Sequence, residues 1–487
     1  MYKTVDQKIV FNGLCGTNGR YPFSQVTVAD VAALARGEKI DAGLVKRIQT
    51  WLKDRFGLHR ETRERNAEAD LGTAGWGVVF PRGCNSDRLE ALRPLLDWRK
   101  SQAASIQKDR FVEYWGEDGY REGDSGRSFL ERHNVDVGSA ADPNRMPYYL
   151  LLAGGPQEIP FDFQYELDLR HAVGRLDFDT VDEYAAYAQS VVVKEKEWVE
   201  QGIAAERRAT FFCPRKADRA SSLMRNELVC PLLDCLKSKP VTGWRLEAVL
   251  DDLATKEELL RFLGGPSTPD FLFTACHGLV FDPSDECQRE KQGALSCVGR
   301  DGVGLLDTSV AASDVSPDSS LHGLISFHFA CYGAGTPQWD EFSMKGDRKL
   351  KASKPFTARL PQRLLAHHRG GALAVIGHVE RAWTYSFAGA RTTQIDVFED
   401  AVRRILRGEP VGYALELFNF RHAHLSAELL LLQKRERLEP LGGNRDWELA
   451  DAYCAARDAC NYVVLGDPAV RFPPMAHKAN AGGRSDD

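Results

Sequence analysis

The chain has 487 residues, a formal net charge of −6, 43% hydrophobic residues and 27% charged ones. That length is more than one ordinary core holds and points to a folded protein of several domains. The near balance of charge argues against nucleic acid or an anionic membrane as the main partner, and no apolar run reaches the roughly 18–20 residues of a membrane-spanning helix.

The start, MYKTVDQKIVFNG, has no apolar leader core, so no secretory signal is read there. Eleven cysteines lie scattered without framework spacing, which fits reduced thiols and a cytoplasmic location. Lys8–Gly13 reads as a short strand running into an Asn-Gly turn. Val26–Gly37 and Asp41–Phe56 read as helices, the second from Asp41 as N-cap and the spacing of Leu44, Ile48, Trp51 and Leu52. Glu61–Asp70 is a dense charge run, a solvated helix face or a linker. Gly75–Phe80 is a strand, Leu89–Lys108 a helix with Pro94 near its start, and Phe111–Asp142 a surface loop region by its weak periodicity. Tyr148–Ala153 is a continuous apolar strand, Ala172–Leu176 another, and Val181–Gln201 a long helix. Gly154-Gly155-Pro156 is no phosphate loop, because no Lys-Ser/Thr follows and no helix opens there.

A second α/β unit opens with the strand Arg208–Cys213. Ser221–Lys237 reads as a helix, Trp244–Val249 as a strand, and Thr255–Leu263 as a helix with Thr255 and Glu258 in capping-box spacing. Two buried strands follow, Phe271–Ala275 and Leu324–Ala330. Phe356–His368 reads as a helix, Gly371–Gly377 as a strand, Thr392–Arg407 and Ala414–Gln433 as helices, and Val463–Leu465 as a last strand. Strands alternating with helices at this spacing predict a doubly wound, mostly parallel sheet.

Leu321–Pro337, LHGLISFHFACYGAGTP, organises the chain. A buried strand stops there at Cys331, with Gly333 and Gly335 just after, which places a thiol at the carboxyl edge of the sheet. Phe271–Ala275 likewise ends in Cys276, His277 and Gly278. If the strands are neighbours, the imidazole of His277 meets the thiol of Cys331. A thiol becomes a useful nucleophile when an adjacent base or imidazolium favours the thiolate. Each residue alone reads as packing; two strand ends of this kind together read as a site. Cys276 belongs to the core, because strand alternation turns it away from His277. His322 and His328 read as structural. A metal site from Cys276, His277, Cys287, Cys297 and Cys331 has no supporting pair spacing, and no cofactor or metal is expected.

His-Gly closing one strand and Ala-Cys-Tyr-Gly closing a later one resemble the clan CD cysteine peptidases, which have the caspase-like fold. Leu360–Val379 (LPQRLLAHHRGGALAVIGHV), Asn461–Phe472 (NYVVLGDPAVRF) and Tyr148–Val192 are similar to segments of the gingipain branch, and there is similarity to CHAT-domain proteases as well. The resemblance spans Tyr148 to Pro473 and leaves out the first 70 residues. It implies an α/β, caspase-like, doubly wound and mostly parallel sheet in two tandem subdomains. These are a non-catalytic one over 71–205 and a catalytic one over 206–475; outside the resemblance, residues 1–70 read as a helical N-terminal extension, a candidate docking region, and 476–487 as a flexible tail. It also implies a cysteine endopeptidase with Cys331 as nucleophile and His277 as base, and main-chain N–H groups of Gly278 and Cys331 facing the oxyanion. Gingipains are secreted, so their calcium sites and outer-surface role are not carried over.

In that clan the floor of the first specificity pocket lies in the loop after the first catalytic strand, here Pro214–Ala220, where Asp218 stands. A carboxylate there would select Arg or Lys; equally, Asp218 is an N-cap candidate for the following helix. Trp383 matches a pocket-wall position and reads equally as a core tryptophan. Glu206, Asp252 and Glu380 are candidates to orient the imidazole, and spacing does not choose among them. The basic loop Gln338–Lys354, with Lys345, Arg348, Lys349, Lys351 and Lys354, reads as a solvated loop or a self-processing segment. The expected partners are a protein substrate and an activating protein that relieves latency, with no nucleic acid and no membrane. The alternatives are a catalytically silent signalling or interaction scaffold of the same fold, and another thiol enzyme such as an acyl transferase.

Overall fold

The computed structural model describes residues 12–17, 19, 27–37, 67–136, 141–201, 206–299, 303–342, 349–387, 395–438 and 446–474. The strands, in chain order, are β1 (Gly13–Cys15), β2 (Trp76–Val79), β3 (Phe111–Tyr114), β4 (Tyr149–Ala153), β5 (Ala172–Leu176), β6 (Arg207–Pro214), β7 (Trp244–Asp251) and β8 (Phe271–Ala275). They continue with β9 (Gly278–Val280), β10 (Leu295–Ser296), β11 (Ser309–Val310), β12 (Ile325–Phe329), β13 (Gly335–Thr336), β14 (Phe356–Thr357), β15 (Ala374–His378) and β16 (Tyr462–Gly466).

Ten of these form one sheet in the order β3-β2-β4-β5-β16-β15-β12-β8-β6-β7. Neighbours are parallel throughout, except that β15 and β16 pair antiparallel. The sheet is therefore two parallel halves running in opposite directions, joined where β16 returns between β5 and β15. Central strands such as YLLLA and ISFHF are buried along their whole length, as parallel strands covered by helices on both faces must be. The α/β, doubly wound and mostly parallel architecture expected from the sequence is the one observed.

Aromatic rings fill the core of the second half. Phe327 lies 5.2 Å from Phe273, 5.8 Å from Phe398 and 6.0 Å from Phe418 between ring centroids. In the first half, helices Ser86–Ala103 and Val181–Gln201 pack together and enclose an ion cluster. Arg99 donates to Asp467 at 2.5 Å and to Glu195 at 2.6 Å, and Trp76 Nε1 donates to Asp467 at 2.9 Å. Asp467 belongs to the LGDPA run after β16, so that run is tied into the first half by charge as well as by pairing.

Several boundaries differ from the sequence reading. Phe111–Asp142 is no plain loop: it contains β3 and the helix Gly126–Arg132. The strand is only four residues long and half-buried at a sheet edge, too short for a period to register. The helix is set by a reciprocal capping pair, Ser125 with Ser128, at 2.9 and 3.0 Å. Phe356–His368 begins as β14, paired with β13, and is helical only over Arg359–Leu365. The helix after β6 has a π-wound turn at Met224–Val229. Helices Phe161–Asp168 and Asp446–Cys460 were not anticipated. The expected helix Asp41–Phe56, most of Lys8–Gly13, most of the Glu61–Asp70 run and the tail 476–487 lie outside the described residues.

The N-terminal residues that are described pack on the body. β1 pairs with β9, and helix Val28–Gly37 lies against Asp446–Cys460, where Arg36 forms ion pairs with Glu436 and Asp446.

Candidate active site

β8 and β12 are direct neighbours, in a register that pairs Ala275 with Phe329. The same offset carried two residues on sets His277 beside Cys331, and Cys276 N donates to Phe329 O at 3.1 Å across the last step. Both groups therefore leave the sheet at one edge, at the carboxyl ends of adjacent strands. Gly278 follows the imidazole, and a Cβ there would lie 1.9 Å from the Cys331 carbonyl oxygen. Glycine is thus required by the chain's own turn, before any ligand is considered.

His277 is 1% exposed. Its Nε2 lies 3.1 Å from Asp218 Oδ2 and 3.2 Å from Ser221 Oγ. A carboxylate only accepts, so this contact assigns the ring proton to Nε2 and leaves Nδ1 as the basic nitrogen. Asp218 is also the N-cap of the helix after β6, accepting from Ser221 N at 2.9 Å, and its Oδ2 accepts from the Ser221 hydroxyl at 2.9 Å. Burial alone would raise the Asp218 pKa; the bonds and charge of His277, together with Ser221, outweigh it and hold the carboxyl well below the usual carboxylate range. Both sequence readings of Asp218 invoked this loop. The structure places the carboxylate on the cap and on the imidazole.

None of the three other candidate orienters has a hydrogen bond to the imidazole. Glu206 and Asp252 are exposed. Glu380 is buried, accepting from Tyr332 Oη at 2.7 Å and from Arg381 at 2.9 Å. Trp383 is 1% exposed; its main-chain N–H donates to Asp458 at 2.8 Å and its ring centroid lies 4.9 Å from that of Phe342. That is a core position. His328 is bound to Thr274 at 2.8 Å and His322 to Glu197 at 3.0 Å, and Cys276 is fully buried.

Cys331 is enclosed. Its sulfur receives the Ala382 N–H at 3.2 Å and faces the Ala382 carbonyl at 3.7 Å. Burial pushes the thiol pKa up, and the Ala382 hydrogen bond and the Arg381 charge only partly oppose this. The turn behind it holds two unusual backbone conformations, Tyr332 at φ 57° and Glu380 at φ 139°. Tyr332 N donates to Glu380 O at 2.8 Å, locking the two together. Strained non-glycine residues held by their surroundings concentrate at functional sites. The same network continues through Arg381 to Asp340 at 2.7 Å and on to Lys351 at 3.1 Å. Burial, helped by the Arg381 charge, pushes Lys351 down to about 8. Lys351 is thus a buried member of the site's support. Lys345 and Arg348 lie outside the described residues.

The feature no motif announced is the cover. β1 lies parallel to β9, pairing Gly13 with Gly278, Leu14 with Leu279 and Cys15 with Val280. A Cβ at Gly13 would be 3.2 Å from Cys331 Sγ. Asn12 N–H donates to Ala382 O at 2.9 Å. Its fully buried side chain donates through Nδ2 to Cys276 O at 2.5 Å and lies 3.5 Å from Phe329 O.

No family model matches the chain, and no curated protein matches it. Among solved structures, it is similar to one described only as a protease, at 14% identity and TM-score 0.46, over 82% of this chain and 79% of that one. It is also similar to the complex of Porphyromonas gingivalis RgpB pro- and mature domains, at 11% identity and TM-score 0.45, over 82% and 80%. A third likeness is to the Saccharomyces cerevisiae separase–securin complex, at 10% identity and TM-score 0.29, where the match spans 91% of this chain but 24% of the other. Likenesses this distant leave the chemistry to be argued from the residues themselves.

Proposed function

We propose that the chain is a caspase-like cysteine endopeptidase acting on protein substrates through His277 and Cys331. The observation that carries this reading is that the segments ending in His277 and Cys331 leave adjacent parallel strands, β8 and β12, at the same carboxyl edge, with Asp218 on Nε2 of the imidazole. His277 Nδ1 accepts the Cys331 proton, and the thiolate sulfur attacks the scissile carbonyl carbon. The main-chain N–H groups of Gly278 and Cys331 stabilise the oxyanion. Collapse breaks the C–N bond, and the imidazolium returns its proton to the departing amine. Water, deprotonated by His277, then cleaves the thioester and restores the thiol.

A thiol that is buried and covered, with its pKa raised by burial, supports a latent form. Activation means uncovering it, by a protein partner or by processing. Selection of Arg or Lys rested on Asp218 as a pocket floor; with its carboxylate committed to His277 and Ser221, that preference loses its main support. The enclosed thiol also suits the second reading, a silent scaffold. Fluorogenic peptides ending in Asn, Arg, Lys or Asp separate the two. The peptidase reading expects turnover by the activated protein and none by Cys331→Ala; equal turnover by both would defeat it.

A further inference from the structure

Three features of the segment 12–15 are those of a bound peptide rather than of an ordinary strand. It adds to the short β9 by main-chain pairing, as extended peptides add to exposed strand edges. It passes directly over the nucleophile, with Gly13 packed on Cys331 Sγ and paired with Gly278, so it occupies the space above both proposed oxyanion donors. It also sends one polar side chain, Asn12, to full burial beneath the sheet edge, where the acceptors are main-chain carbonyls of the residues that precede the imidazole and the thiol turn. Burying a carboxamide is costly unless its polar atoms are met; here Nδ2 meets two carbonyls, while the buried Oδ1 has no partner among the described residues.

We infer that Asn12–Cys15 is a built-in, substrate-like plug of the active-site cleft, and that the pocket it fills selects a short side chain that donates hydrogen bonds, asparagine first. The inference rests on the peptidase reading for the word substrate, while the plug itself rests on geometry alone. The rest of the segment is built to hold and release as a unit. Leu14 packs with Leu279, Phe281, Ala294 and Ala311 in a small separate cluster. Gly16 lies flat on the Phe281 ring, where a Cβ would come within 2.1 Å. Thr17 Oγ1 donates to Asp285 at 3.1 Å. Beyond β9, the plug is anchored by Ala382 on one side and Asp285 on the other. Gly13 is the residue that lets it pass the thiol, because a Cβ there would lie 3.2 Å from Cys331 Sγ and 3.3 Å from the Val280 side chain. The cover adds to the burial of Cys331 that Ala382 also provides; with the plug withdrawn, water reaches the sulfur and the penalty on its thiolate falls.

The test needs no hydrolysis. N-ethylmaleimide labelling of each cysteine in the full chain is followed by peptide mapping, in wild type and in Asn12→Ala. The plug predicts Cys331 labelling at least tenfold faster in the variant, with Cys213 and Cys454 unchanged. The peptide IVFNGLSG, residues 9–16 with serine for Cys15, restores protection, and the same peptide with alanine for asparagine does not. Equal Cys331 rates in the two proteins, or equal acceleration at Cys213 and Cys454, would overturn the plug. Gly13→Val supplies a second variant with the same expectation should Asn12→Ala fold poorly. Fast labelling without turnover of an Asn-ending peptide would leave the plug standing and remove the peptidase.

Discussion

Asp218 ends the loop after β6 and serves two neighbours at once, capping a helix and fixing the His277 tautomer. The two roles separate by substitution. Asn caps nearly as well as Asp, but a neutral carboxamide holds the imidazolium less well. Asp218→Asn should lower kcat by about 10²-fold with little change in KM. The pH dependence follows from the depressed carboxyl. Its stabilisation is fully present above the unfolded value of about 3.9 and is lost as pH falls toward the lower folded value. The urea stabilities of wild type and Asp218→Asn should therefore differ by a constant amount at neutral pH and converge below about pH 4. A gap that widens on acidification would contradict this. At this scale, the sequence showed which residues close the buried strands, since Phe271–Ala275 and Leu324–Ala330 are visible as apolar runs. It did not show what reaches them. The contact of Asp218 with His277 depends on a loop folding back across 59 positions, and that of Asn12 with Cys276 on a pairing across 264.

Among the elements, the strands were the easiest to read, and for a physical reason. Strands covered on both faces are continuously apolar, and Ala172–Leu176 and the helix Val181–Gln201 fall where the spacing puts them. Short elements stabilised by tertiary pairing were not readable: β3 survives by pairing with β2, and β14 by pairing with β13. The seam between the half-sheets is the element that sequence least reveals, because β16 comes last in the chain and pairs in the middle. It depends on Gly174 of β5, where a Cβ would lie 2.2 Å from the Gly466 carbonyl oxygen. That contact is backbone and cannot swing aside. Gly174→Ala should cost about 1–3 kcal/mol, a fall in Tm of about 1–3 °C for a chain of this length by scanning calorimetry. An unchanged Tm would mean the seam is looser than described.

Across the whole molecule, one sheet carries the candidate site at one edge, and β1, from the N-terminal part of the chain, pairs with β9 beside it. The tie between halves is chemical as well as topological: Asp467, one residue beyond β16, is held by Arg99 and Trp76 of the first half. No described helix is long and apolar enough to cross a membrane. The α/β class and the parallel order were legible because alternation of strand and helix constrains them. The reversal between halves was not, because pattern alone does not say which strand a last short apolar run will join. The central claim, that Cys331 and His277 act together as nucleophile and base, is tested most directly by an asparaginyl chloromethyl ketone on the Asn12→Ala protein, with the adduct mapped by mass spectrometry. The account predicts one adduct, on Cys331, formed at least about 10²-fold more slowly when His277 is also replaced by alanine; alkylation at the same rate with and without His277, or on cysteines other than Cys331, would contradict it.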